Sequence, residues 1–161
     1  MKKIFGVLAL CLAVASCSTK DNGIVLFPES DFNTEVDGKA VSLYTLKAGE
    51  VVMQVTNFGA RVVSLWTPDK DGHYEDIVLG YNNIDNYINN PGERFLGAVV
   101  GPYANRIAGG TYTIGEETYN FPQNNNGQTL HGGLKGLDMV VWDVDNVTEN
   151  QIVLSYLCPD G

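Results

Sequence analysis

From Val41 onward, apolar and polar residues alternate in short runs separated by turn residues. That period belongs to half-buried β-strands rather than helices. Val41–Lys47 and Val51–Asn57 alternate on either side of Ala48-Gly49-Glu50 and predict a hairpin. Arg61–Thr67 and Glu75–Leu79 repeat the pattern across a turn at Pro68–Gly72. Thr111–Ile114 and Thr118–Phe121 flank Gly115-Glu116, where glycine at the first central position suits a type II′ turn. Val140–Val147 and Gln151–Cys158 make a last hairpin across the polar connection Thr148–Asn150. Val, Ile, Thr and Tyr dominate these runs, as expected of residues on a pleated surface. The helical signal is weak: Ile84, Tyr87 and Ile88 have helical spacing, but the five asparagines of Asn82–Asn90 limit it to a short turn. Many short strands joined by Gly, Asn and Asp turns predict an all-β, antiparallel sandwich.

The N-terminus departs from this pattern. Lys2 and Lys3 precede an apolar run from Ile4 to Val14, then Ala15-Ser16-Cys17. The run is short for a bilayer span and has the layout of a secretory signal. V-A-S-C resembles a bacterial lipobox, which makes residues 1–16 a lipoprotein signal peptide and Cys17 the lipidated first mature residue. The alternative is an ordinary signal peptide cut near Ala15. A multiply acylated cysteine exceeds the marginal hold of a single chain, so the expected location is the bacterial cell envelope, periplasm or outer membrane, with membrane contact only through the lipid. Residues 17–33 read as a tether and 34–161 as the domain.

Composition narrows the partners. The formal charge is −9, and removing Lys2 and Lys3 with the signal leaves −11, which argues against nucleic acid or an anionic membrane face. With Cys11 in the signal and Cys17 acylated, Cys158 has no partner for an intrachain disulfide. Phosphate-cradling, dinucleotide, CxxC, HExxH and G-x-S-x-G motifs do not occur, and two separated histidines give no zinc site. The expectation is no metal, no cofactor and a monomer.

Two patches do not fit plain strands: G-A-V-V-G-P-Y-A-N-R-I at 97–107 and L-H-G-G at 130–133. Small residues around an Asn–Arg pair and a glycine-flanked histidine suit close approach to a small polar ligand. If 130–131 is extended, Leu130 buries itself while His131 points the other way. Residue chemistry leaves two readings of His131, a functional imidazole or one that bonds a neighbouring loop while the glycines serve a turn. Arg106 needs acceptors for its fork of donors, supplied by a carboxylate or by a polyhydroxylated ligand, and Asn105 offers both a donor and an acceptor. His73, in the turn after Asp71-Gly72, reads as a solvated loop residue, and Trp66 and Trp142 as packing residues of strands.

These patches, with the hairpin from Gly110 to Phe121, N-x-x-Q-T-L-H-G-G at 125–133, and Gly136 and Trp142 behind, resemble the aldose 1-epimerase (galactose mutarotase) family. T-N-F-G-A at 56–60, V-V-S-L-W after it and D-I-V-L-G-Y at 76–81 match that family's opening strands in order. The resemblance runs from about Val41 to the last residue. It implies an antiparallel β-supersandwich of the galactose mutarotase type and interconversion of the α and β anomers of galactose- or glucose-type aldoses. By position, Asn105 and Arg106 match the sugar-binding pair, and His131 matches the first active-site histidine. The family's second histidine (general acid), substrate-binding aspartate and late glutamate (general base) have no match here. Cys158-Pro159-Asp160-Gly161 resembles the start of an S-P-D-G-E-E-G-Y-P-G run, and P-D-G normally leads into another element. The chain therefore reads as the N-terminal part of such a domain. The rival readings are a non-catalytic carbohydrate-binding β-sandwich module and a piece that does not fold alone.

Overall fold

The computed structural model describes residues 23–89 and 92–159; the signal peptide, Cys17 and Asp160-Gly161 lie outside them. The largest sheet is an antiparallel meander of β3 (Leu43–Ala48), β4 (Val51–Thr56), β5 (Arg61–Pro68) and β6 (Tyr74–Asp76), in that spatial order. Its first two strands pair Leu43 with Thr56 through Ala48 with Val51, as the alternation predicts. Between Gln54 and Val55 the ladder to β5 slips. Val63 is thereby left as an extra residue on β5, wholly buried and turned into the core.

Before the sheet, β1 (Thr34–Val36) and β2 (Lys39–Val41) form a hairpin that the alternation did not predict. The signal was present: Asp37-Gly38 is the dipeptide of a type I′ turn, and both residues have positive φ, +51° and +76°. After the sheet come a single helical turn α1 (Asp85–Ile88), β7 (Arg106–Ile107), β8 (Thr111–Ile114), β9 (Glu117–Asn120), β10 (Thr129–Leu130), β11 (Asp143–Val147) and β12 (Ile152–Ser155). β8 pairs with β9, β7 with β10 and β11 with β12, all antiparallel. Short 3-10 turns at Gly133–Lys135 and Leu137–Met139 join β10 to β11.

Three expected segments differ. Residues 75–79 were expected as one strand, but pairing in β6 ends at Asp76, whose carboxylate Oδ1 accepts the N–H groups of Leu65 (2.9 Å) and Val78 (3.1 Å). Ile77 and Leu79 are consequently exposed. The run 140–147 is divided: Gly59 donates to the Val140 carbonyl (2.8 Å) and Trp142 to that of Asn57 (2.9 Å), so 140–142 follows 57–59 and only 143–147 enters the last hairpin. Trp142 therefore precedes the strand expected to contain it.

The third difference concerns the tether. Phe32, inside the expected tether 17–33, has no exposed surface and packs in the core with Val41, Leu43, Phe58, Val63 and Tyr87. Phe27 is fastened by the buried Gln54 side chain, which accepts from the Phe27 N–H (2.9 Å) and donates to its carbonyl (3.0 Å). A side-chain amide thus completes the backbone bonds of a segment that has no strand partner. The packed body begins at Phe27 rather than at residue 34.

Candidate functional site

β7 and β10 are only two residues each, yet they bring the two unusual sequence patches together. Leu130 pairs with Arg106 and Thr129 with Ile107. Thr129 is fully buried and Leu130 nearly so, and the half-buried His131 leaves the strand in a left-handed conformation (φ +49°), so a turn rather than extended alternation sets its direction. Tyr103 and Thr129 share a hydroxyl hydrogen bond of 2.6 Å beneath the pair. Asn124 secures the neighbouring loop by accepting from Leu130 N–H (2.7 Å) and donating to the Leu130 and Gly133 carbonyls (3.0 and 2.9 Å).

Asn105 and His131 are locked to each other. The His131 N–H donates to the Asn105 carbonyl (3.1 Å), and the Asn105 N–H donates to His131 Nδ1 (3.0 Å). Both residues are left-handed, φ +63° at Asn105 and +49° at His131. A non-glycine residue held in a sparse region costs about 1–3 kcal/mol and persists only where the surroundings impose it. Here the reciprocal bonds impose it. A backbone N–H can approach only an unprotonated ring nitrogen, so the neutral ring carries its proton on Nε2. Among the described residues Nε2 has no hydrogen-bond partner, which leaves an N–H donor for a ligand oxygen.

Arg106 is exposed. Its Nε donates to Asn125 Oδ1 (3.0 Å) and its Nη1 to Asn105 Oδ1 (3.2 Å). Among the described residues no carboxylate pairs with this guanidinium. Asn105, Arg106 and His131 thus form one cluster of a fixed imidazole donor, a guanidinium and an amide. Such a set offers hydrogen-bond donors and an amide suited to hydroxyl oxygens.

The glycines after His131 serve the backbone rather than the ligand. Gly132 has φ +85°, and a Cβ there would collide with the Gly101 carbonyl oxygen. This turn leaves no room for a side chain because two backbone segments touch.

Behind the cluster lies a group of charged residues that residue type and spacing do not single out. Arg61 is entirely buried and donates to the carbonyls of Arg94 (2.8 Å), Leu96 (2.7 Å) and Asp138 (3.0 Å), with its guanidinium 4.5 Å from the Tyr87 ring centre. Burial pulls its pKa below the usual arginine value, opposed by nearby Tyr87 and Asp138. Arg94 meets the buried Asp138 carboxylate through Nη2–Oδ1 (3.0 Å) and a Nε–Oδ2 charge contact of 2.8 Å. Arg61 was legible in part, because strand parity puts it on the same face as the buried Val63. Nothing local distinguishes Arg94 or Asp138 from surface charges.

Two cavities flank the region. One of about 420 Å³ is lined by Arg94, Phe95, Asn125 and Leu130, all in contact with the cluster or its support. A larger one of about 840 Å³ is walled by Tyr103, Tyr112, Phe121, Leu137 and Tyr156, and Asn105, Arg106 and His131 line neither cavity. The polar groups converge at the Asn105–Arg106–His131 cluster, which is therefore the candidate site. Among the described residues no group of His, Cys, Asp and Glu side chains is arranged to hold a metal. His73 is highly exposed, bonded to Asp69 in its turn, and takes no part in the cluster.

Residues 42–161 match the family model for aldose 1-epimerase. A probable aldose 1-epimerase of Arthroderma benhamiae is 36% identical over 119 residues, which cover 71% of this chain and 27% of that protein. The galactose mutarotase of Bos taurus is 35% identical over 121 residues, covering 75% of this chain and 34% of that protein. Among solved structures, galactose 1-epimerase from Lactobacillus acidophilus is 29% identical with a TM-score of 0.66, over 81% of this chain and 38% of that one. An aldose epimerase homologue from C. elegans gives a TM-score of 0.67 at 29% identity, over 73% of this chain and 36% of that one. The fold is therefore an all-β sandwich of the galactose mutarotase type. The chain belongs to the aldose 1-epimerase family, and it spans about a third of the length of the curated relatives it matches.

Proposed function

We propose that the protein is an aldose 1-epimerase acting on galactose- or glucose-type aldoses, in which Asn105, Arg106 and His131 hold the sugar. The observation that carries this reading is the reciprocal Asn105–His131 lock, which aims one fixed Nε2–H donor beside a guanidinium and an amide. Anomer interconversion opens a hemiacetal. A base takes the proton of the anomeric hydroxyl, an acid protonates the ring oxygen, and closure on the other face reverses both transfers. These proton transfers require no cofactor.

A neutral imidazole with its proton on Nε2 is suited to holding a sugar oxygen by hydrogen bonding while other groups move the protons. The acid and base that the family resemblance assigns to a second histidine and a late glutamate have no counterpart in residues 1–161. The proposed activity therefore belongs to a polypeptide that carries them.

Polarimetry on freshly dissolved α-galactose tests the proposal in the full-length protein. Rapid equilibration is expected, and His131→Ala should slow turnover by about 10²–10³-fold, the effect of removing one well-aimed donor. A near-wild-type rate would remove His131 from the site. Saturable sugar binding by residues 1–161 without faster equilibration is the outcome that supports the binding-module reading.

We further propose export and lipidation at Cys17, with a monomeric domain tethered to the envelope by lipid alone. Radiolabelled fatty acid should enter the wild-type protein and not Cys17→Ala; equal labelling would reject the anchor.

A further inference from the structure

The histidine of the proposed sugar site is not supported by its own strand alone. Phe95 stands edge-on to the His131 ring, with centroids 4.9 Å apart and planes at 66°. The Arg94 guanidinium lies 4.8 Å from the centre of the same Phe95 ring. Arg94 also reaches into the turn that follows His131, donating from Nη1 to the Leu134 carbonyl (3.1 Å) and from Nη2 to the Gly133 carbonyl (3.2 Å). Asp138 aligns this fork from the far side, its carboxylate 1% exposed and the Arg94 side chain 20% exposed. One guanidinium thus grips both the aromatic wall of His131 and the turn that determines where His131 leaves its strand.

We infer that Arg94, aligned by Asp138, is a positioning residue for His131. It keeps Phe95 against the imidazole and the Gly133-Leu134 turn in place, so that the Asn105 N–H stays on Nδ1 and Nε2–H stays aimed at the sugar. This assignment rests on the proposed sugar site. A planar fork with several donors is needed, because one lysine ammonium cannot serve two carbonyls, a carboxylate and a ring face in these directions. Small displacements of a group that orients substrate are costly; about 1 Å can reduce rate 10²-fold.

The test compares Arg94→Lys and Arg94→Met with Val63→Ala in the full-length protein. Val63→Ala removes core volume without touching any Arg94 contact. Two quantities are read: kcat/KM for anomer interconversion, and the imidazole ¹⁵N signals of His131, identified by their loss in His131→Ala. The wild-type signals should show a single neutral tautomer protonated on Nε2. Arg94→Lys, which keeps the charge opposite Asp138, should lower kcat/KM by at least about tenfold and move the His131 signals toward a tautomer mixture. Arg94→Met should do the same or more, and Val63→Ala should change neither quantity. Wild-type His131 signals in a folded Arg94→Lys protein would overturn the inference even if activity falls. So would the same displacement of signals in Val63→Ala. Should Arg94→Met not fold, Arg94→Lys decides. A wild-type protein that does not interconvert anomers defeats the enzyme reading alone, since the ¹⁵N signals still report whether Arg94 holds His131.

Discussion

Burial, more than distance, should decide what the ion pairs of this protein contribute, and Asp138 offers a direct test. Arg94 and Asp138 meet at 2.8 Å, and Lys39 and Asp143 at 2.7 Å, so the two pairs are nearly equal in length. Their surroundings differ. Asp138 is 1% exposed and Arg94 20%, against 58% for Asp143 and 44% for Lys39. Removing one partner of a buried pair typically costs about 3–5 kcal/mol, because the other charge is left without compensation. Arg94 retains the Gly133 and Leu134 carbonyls and reaches water along a fifth of its side chain, so Asp138→Ala should cost about 2–4 kcal/mol. Asp143→Ala should cost about 0–1 kcal/mol, the range for exposed pairs. Equilibrium urea unfolding followed by tryptophan fluorescence measures both. Trp142 is a convenient reporter, since its Nε1–H donates to the carbonyl of Leu137, the residue before Asp138 (3.2 Å). If Asp138→Ala costs no more than Asp143→Ala, the argument that burial gives the first pair its importance is refuted.

Other consequences are equally concrete. Gly132→Ala forces a Cβ into the Gly101 carbonyl at φ +85° and should lower stability by at least about 2 kcal/mol, seen as a lower Tm; an unchanged Tm would contradict the close packing of these segments. Phe32→Ala should cost about 3–5 kcal/mol in urea unfolding, whereas a residue in a loose tether would cost close to nothing. Burial pushes the Tyr87 phenol above its ordinary pKa, with a bond from the Tyr81 N–H and the charge of Arg61 opposing. Because the folded value is raised, its contribution is complete below the unfolded pKa of about 10 and is lost as pH rises through the folded value. The urea midpoint should therefore fall between about pH 9 and 12, and Tyr87→Phe should flatten that fall; an equally steep decline in the variant would assign the slope elsewhere.

The strands were legible because alternation is local. Leu43, Val52 and the residues around them announce a half-buried sheet from their own neighbours, and Gly115 announces its turn from one dipeptide, with φ +62° as expected. The Asp37-Gly38 hairpin is equally local, its turn carried by one dipeptide with positive φ at both residues. The end of β6 was not open to local reading, since whether Asp76 caps or continues a strand depends on where Leu65 lies.

The same division holds at the site. Asn105, Arg106 and His131 stood out by residue type and glycine context, and the family resemblance tied them to sugar binding. Only tertiary structure decided that Asn105 and His131, 26 positions apart, would hydrogen-bond each other and so determine which ring nitrogen carries the proton. Only tertiary structure decided that Arg61 and Asp138 would be buried and Arg94 largely so. Their contacts span 33 to 77 residues, and charged residues of these types are ordinarily solvated. Periodicity is read over a few residues and is therefore present in the linear chain. The choice of partner for a buried charge or a left-handed histidine depends on distant segments meeting, which happens only when the chain has folded.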